Sequence, residues 1–172
     1  MTVGWARFCA HADTKPRGQT INLSAHPTLS MNTLLDELIP GLNATVEIVV
    51  GTRDTAAHVG SGKIGVLATP ILVTLLETAA LQAVERFMPP GQQTVGTRLD
   101  ISHTAATPVG MRVRAHAELV KVEGRKLSFK LHAEDEGETI GGGIHERLII
   151  SVDRFDQRMQ KKLALRERLT KP

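Results

Sequence analysis

Between Thr69 and Phe87 the chain runs through a helical stretch that is apolar on nearly every side and carries one carboxylate, Glu77, in its middle. A helix of that kind belongs at the centre of a fold, and an ionisable group placed there must be paired, used or kept neutral. Its limits are legible. Thr69 is an N-cap candidate with Pro70 at the first helical position, and Pro89-Pro90-Gly91 ends the run. About five turns result, long enough for a sheet to wrap.

A single domain is expected from 172 residues, and one cysteine, Cys9, allows no internal disulfide, which suits a reducing, cytoplasmic setting. Cys9 falls in the loose N-terminal segment without a basic partner, so a catalytic thiol is not expected. No apolar run reaches the roughly 18 residues of a membrane span, and the first residues lack signal-peptide order. A net charge of +3 leaves no strong nucleic-acid footprint. With one Trp, four Phe and no Tyr, platforms for base stacking are few, so a phosphate-bearing small molecule is the better partner for the basic excess.

Residues 1–30 are rich in Thr, Pro, Gly, Ser and His without periodicity, and read as a flexible extension. The domain is expected over 31–155, followed by a charged helix or tail over 156–172. Ser30 can cap a short helix from Met31 to Leu38, and Ala44–Val50 reads as a strand. Gly51–Ala68 reads as a mobile loop near the long helix. Its Gly60-Ser61-Gly62-Lys63 is not a phosphate-binding P-loop, because the spacing is wrong and Ile64-Gly65 follows the lysine.

Four strand-like runs follow the helix, at Gln92–Ala105, Met111–Val122, Arg125–Glu134 and Glu138–Asp153. In the second, Met111, Val113, Ala115, Ala117 and Leu119 share one face. Leu127, Phe129, Leu131 and Ala133 do so in the third, and Leu148, Ile150 and Val152 supply a face in the last. Strand, long helix and an antiparallel meander make an α+β arrangement in which a sheet curls about one helix, the hot-dog fold. Open edges of this length favour a homodimer with a continuous sheet.

Three segments carry the chemistry: Ala68-Thr69-Pro70 with Glu77, Thr94-Val95-Gly96-Thr97 with Ile101-Ser102-His103, and Gly143-Ile144-His145-Glu146-Arg147. With Ser102-His103-x-Ala-Ala-Thr107-Pro108 included, the chain from about Val66 to Phe155 resembles the hot-dog acyl-CoA thioesterases of the fluoroacetyl-CoA thioesterase type. That resemblance implies a catalytic set of Thr69, Glu77 and His103, substrate contacts from Gly96 and Arg147, an acyl-CoA substrate and no cofactor.

Residue chemistry agrees. Thioester hydrolysis needs an activated water or nucleophile, oxyanion stabilisation and a proton for the departing thiolate. Glu77 in apolar surroundings would be a strong base or nucleophile, His103 can shuttle protons near neutrality, and Gly96 lets a substrate approach the backbone. Arg98, Arg112 and Arg125 are candidates for CoA phosphates, and Phe8, Phe87, Phe129 and Phe155 for an aromatic gate. His58, His116, His132 and His145 lack zinc-site spacing, so no metal is expected.

The plainer roles are a helix cap for Thr69, a structural hydrogen bond for Glu77, and an ion pair with Glu146 or Glu138 for Arg147. A hydratase acting on enoyl-CoA and a catalytically silent acyl-CoA binder are the alternative functions. Geometry adds a constraint: Thr69 and Glu77 stand about 12 Å apart along a straight helix, so they do not bond directly. Either His103 or substrate bridges them, or the site draws on two chains.

Overall fold

The computed structural model describes residues 31–169. Cys9, Phe8, the 1–30 extension and the Ser30 cap lie outside them. The elements are α1 (Met31–Asp36), β1 (Asn43–Val49), α2 (Ala56–Val59), α3 (Thr69–Val84), β2 (Gln92–His103), β3 (Arg112–Glu123), β4 (Lys126–Asp135), β5 (Thr139–Ser151) and α4 (Val152–Leu169). Five strands form one antiparallel sheet in the order β1-β3-β4-β5-β2, curled about α3 in the hot-dog arrangement.

The strands after α3 do not form a four-strand meander in chain order. Only β3, β4 and β5 run consecutively, while β2 crosses to the far side and pairs with β5. Periodicity identifies a strand but not its neighbour, because the two edges of any strand offer the same backbone groups.

The core comes from alternation on the sheet and a stripe on the helix. Leu72, Leu75, Leu76, Ala79, Ala80, Ala83 and Val84 recur at helical spacing and are buried. Facing them are Val113, Ala115, Ala117 and Leu119 of β3 and Leu127, Phe129, Leu131 and Ala133 of β4, the faces expected from sequence. β5 differs. Its buried side is His145, Arg147 and Ile149, whereas Leu148 and Ile150 are only half-buried. Counting apolar residues selects the wrong face there because two polar residues occupy the inner one.

α3 is not enclosed within the chain. It packs chiefly on β1 and β3, and its opposite side, with Val73, Glu77 and Leu81, stays half-exposed. Its N-cap is Ala68, with no side-chain cap bond, so Thr69 is the first helical residue rather than the cap. The helix stops at Val84 and tightens into a 3₁₀ turn over Glu85–Phe87.

β2 carries a β-bulge. Gly96 pairs with Arg147 and Arg98 with Glu146, leaving Thr97 as the extra residue, its hydroxyl donating to the Glu146 carbonyl at 3.1 Å. Upstream of the bulge the even-numbered Thr94 faces inward. Downstream the odd-numbered Leu99 and Ile101 do so, packed against the core, with His103 next in the alternation.

Candidate active site

Thr69 opens α3 and His103 closes β2, and their side chains meet: Thr69 Oγ1 and His103 Nδ1 are 2.9 Å apart. Both line an open cavity of about 370 Å³, together with Ala56, Lys63, Ile64 and Ala105. The cavity wall from 51 to 68 is tied down rather than loose. Thr55 Oγ1 accepts from the His58 amide, Gly60 takes a left-handed conformation (φ +79°) to close α2, and backbone bonds join Ala56 to Val66 and Leu67 to Thr107. Burial pushes the His103 imidazole below its ordinary range, the Ala105 backbone acting the other way. A neutral imidazole beside a hydroxyl can accept its proton.

Glu77 belongs to a second group. Its side chain is 42% exposed, not enclosed in apolar surroundings, because α3 packs chiefly on β1 and β3 and meets β2 and β5 only at the edge that carries Glu77. Oε1 stands 3.8 Å from His145 Nε2. Gly96 lies against both: a Cβ there would meet Glu77 Oε1 at 2.7 Å and His145 Cε1 at 3.1 Å. At this position glycine serves close packing, since any side chain would displace the carboxylate.

Arg147 is buried, with 7% of its surface exposed, and does not pair with Glu146 or Glu138. Nε donates to Thr94 Oγ1 at 2.9 Å, Nη2 to the Thr94 carbonyl at 3.0 Å, and Nη1 to His145 Nε2 at 3.2 Å. Glu146 instead pairs with Lys126 at 2.8 Å. Burial lowers the pKa of Arg147, the Glu77 charge opposing the effect.

The expected residues therefore form two groups within one chain, Thr69 with His103 and Glu77 with Gly96 and, through His145, Arg147. Among the described residues no hydrogen bond or ion pair joins Glu77 to Thr69 or His103. Seven steps along β2 from Gly96 to His103 span roughly 20 Å at strand rise, which keeps the two groups apart within the chain. Thr94 and His145 belong to the second group although sequence reading assigned them no role. The signal was spacing by two, which puts Thr94 with Gly96 and His145 with Arg147.

The remaining candidates are placed less favourably. Arg98 pairs with Asp100 at 3.4 Å and Arg112 with Glu47 at 3.2 Å. Phe87 and Phe129 are buried in the core rather than set at a gate, and Phe155 lies on α4.

A family model described as fluoroacetyl-CoA-specific thioesterase matches residues 50–153, more than half of the chain. The fluoroacetyl-CoA thioesterase of Streptantibioticus cattleyicolor is 41% identical over 97 residues, covering 56% of this chain and 70% of that protein. The structure is similar to a variant of the fluoroacetyl-CoA thioesterase FlK in complex with fluoroacetate and CoA, at TM-score 0.65 and 36% identity over 69% of this chain and 99% of that one. A thioesterase superfamily member of Thermus thermophilus superposes at TM-score 0.69, with 28% identity over 77% and 96% of the two chains. With both polar groups and the curled sheet in place, the chain belongs to the fluoroacetyl-CoA-specific thioesterase family.

Proposed function

We propose that the protein hydrolyses a short-chain acyl-CoA thioester to the free acid and CoA, in a site built from two copies of the chain. The observation that carries this reading is the 2.9 Å pairing of Thr69 Oγ1 with His103 Nδ1 on a cavity wall, a hydroxyl held by a proton acceptor. Glu77 supplies the carboxylate, either drawing a proton from water or adding to the thioester carbonyl. Both routes break the same C–S bond: water adds directly in the first and opens the resulting anhydride in the second, and the proton that leaves water ends on the thiolate, with His103 taking it up and passing it on. The relative holding fluoroacetate and CoA supports an acyl-CoA substrate.

The two-copy arrangement follows from three features: separate polar groups, a half-exposed face of α3 around Glu77, and β2 as a twelve-residue edge strand. Antiparallel pairing of β2 with its copy, centred near Leu99 and Asp100, would set His103 of one chain beside Gly96 and Glu77 of the other. Residues 31–155 are the catalytic unit in this reading, with α4 appended. Among the described residues no helix is long and apolar enough to cross a membrane, and a reducing cytoplasmic setting suits the lone cysteine.

Complementation tests the arrangement. Thr69→Val and Glu77→Gln are each expected to be nearly inactive in thiol release. After unfolding and refolding together they should recover about a quarter of the wild-type rate, since half of the dimers are mixed and each holds one intact site. No recovery would place the site within one chain. Glu77→Gln at full rate would remove Glu77 from the chemistry, and absence of thiol release from every acyl-CoA offered to the wild-type protein would sink the thioesterase assignment.

A further inference from the structure

His145 is almost completely buried, at 1% exposure, and its two ring nitrogens face groups of fixed hydrogen-bonding character. Nδ1 is 2.7 Å from the Arg98 carbonyl, which can only accept, so Nδ1 carries a proton. Nε2 is 3.2 Å from Arg147 Nη1, which can only donate, so Nε2 holds a lone pair. The ring is thereby fixed as the neutral Nδ1–H tautomer. Burial, the largest cause, favours the same neutral form and the Arg147 charge adds to it, against the opposing pull of the Arg98 carbonyl and of the Glu77 and Glu146 charges.

Every charged neighbour is accounted for. Glu77 faces the ring from α3, Arg147 and Glu146 belong to its own strand, and Arg98 approaches from β2 through its backbone. From β4 the neighbour is Phe129, its ring centroid 6.2 Å away.

This places a neutral acceptor between a guanidinium and a carboxylate. Arg147 has two arms on Thr94 and turns the third to Nε2, and it makes no ion pair with Glu77, although Glu77 Oε1 stands only 3.8 Å from that nitrogen. We propose that His145 is a positioning residue that occupies the free arm of Arg147 and so keeps the guanidinium from closing on Glu77. A carboxylate locked into a bidentate pair with arginine is held by both oxygens and is a poor base and nucleophile. The imidazole leaves Glu77 oriented but unclamped. This rests on Glu77 acting at the reacting centre, as proposed above.

Two measurements test it. In the unmodified protein, long-range proton–nitrogen spectra of ¹⁵N-labelled histidine should show His145 as the Nδ1–H tautomer, uncharged at neutral pH. An Nε2–H tautomer or a charged ring at neutral pH would overturn the proposal. In steady-state kinetics, His145→Leu should lower kcat roughly 10- to 100-fold with KM little changed, through displacement of the carboxylate. His145→Gln, whose carbonyl oxygen can accept from Arg147, should recover most of that loss. Wild-type kcat in the Leu variant, or equal damage in both, would refute the role. If the Leu variant does not fold, the tautomer and the Gln variant decide. Full activity in Glu77→Gln would remove the catalytic premise while leaving the tautomer measurement standing, so the two failures are separable.

Discussion

Gly96 and Glu77 are in contact so close that a single added carbon on the glycine would stand 2.7 Å from the carboxylate oxygen. Glu77 sits on the half-exposed side of α3 and has room to retreat, whereas His145 behind it is buried.

Gly96→Ala should therefore displace the carboxylate more than it destabilises the fold. The expected cost is about 1–2 kcal/mol in denaturant unfolding, with a drop in thiol release well beyond what that loss of folded protein explains. Unfolding and rate measured on the same preparations separate the two effects.

Thr69→Val distinguishes a catalytic hydroxyl from a helix cap. Since the cap is Ala68, the variant should escape the roughly 1 kcal/mol penalty of a lost N-cap side chain, while activity falls about 100-fold or more. Loss of thermal stability with unchanged activity would show the plainer role.

Arg147 is held by three bonds to Thr94 and His145 that lysine cannot reproduce, because an ammonium lacks the planar fork. Arg147→Lys should cost about 2–4 kcal/mol in chemical denaturation by leaving buried acceptors unpaired. The same change at the exposed Arg98, whose partner Asp100 is also exposed, should be nearly silent.

Stability should fall on the acid side. His103 and His145 are both held below their ordinary value of 6.5, chiefly by burial. Below that value the unfolded chain binds more protons than the native one, so stability rises with pH in this window. It is fully present above 6.5 and is lost as pH falls through the depressed native values. Denaturation midpoints from about pH 8 down to 5 check the sign, and His145→Gln should flatten the decline.

Much of this fold could be read from residue patterns. The inner faces of β3 and β4 follow from alternation, and Pro70 and Pro89 bracket the helix region. The patterns failed where polar residues occupy the inside. On β5 the buried face holds His145 and Arg147, so apolar counting chose Leu148 and Ile150. Thr69 has the chemistry of a cap but spends its hydroxyl on His103, a contact between residues 34 positions apart. Glu77 was expected to be buried because its helical neighbours are apolar, yet the chain by itself covers only one side of that helix. Strand order was equally hidden, since β2 could pair on either side.

The extra residue at Thr97 acts as a phase shifter for the entire strand. Were it paired with β5 like its neighbours, alternation begun at Thr94 would continue on even numbers, and His103 would point away from Thr69. Removing Thr97 would therefore leave the pairing of Arg98 through His103 with β5 intact and His103 facing Thr69, whereas removing one paired residue between Arg98 and His103, with the bulge retained, would turn His103 away from the hydroxyl. Removing two paired residues would keep the parity and move His103 nearer to Gly96 by about 7 Å. The bulge residue is thus the one place where the segment from Thr94 to His103 can lose a single residue and keep the hydroxyl on its partner, whereas the paired residues can be lost only in even steps.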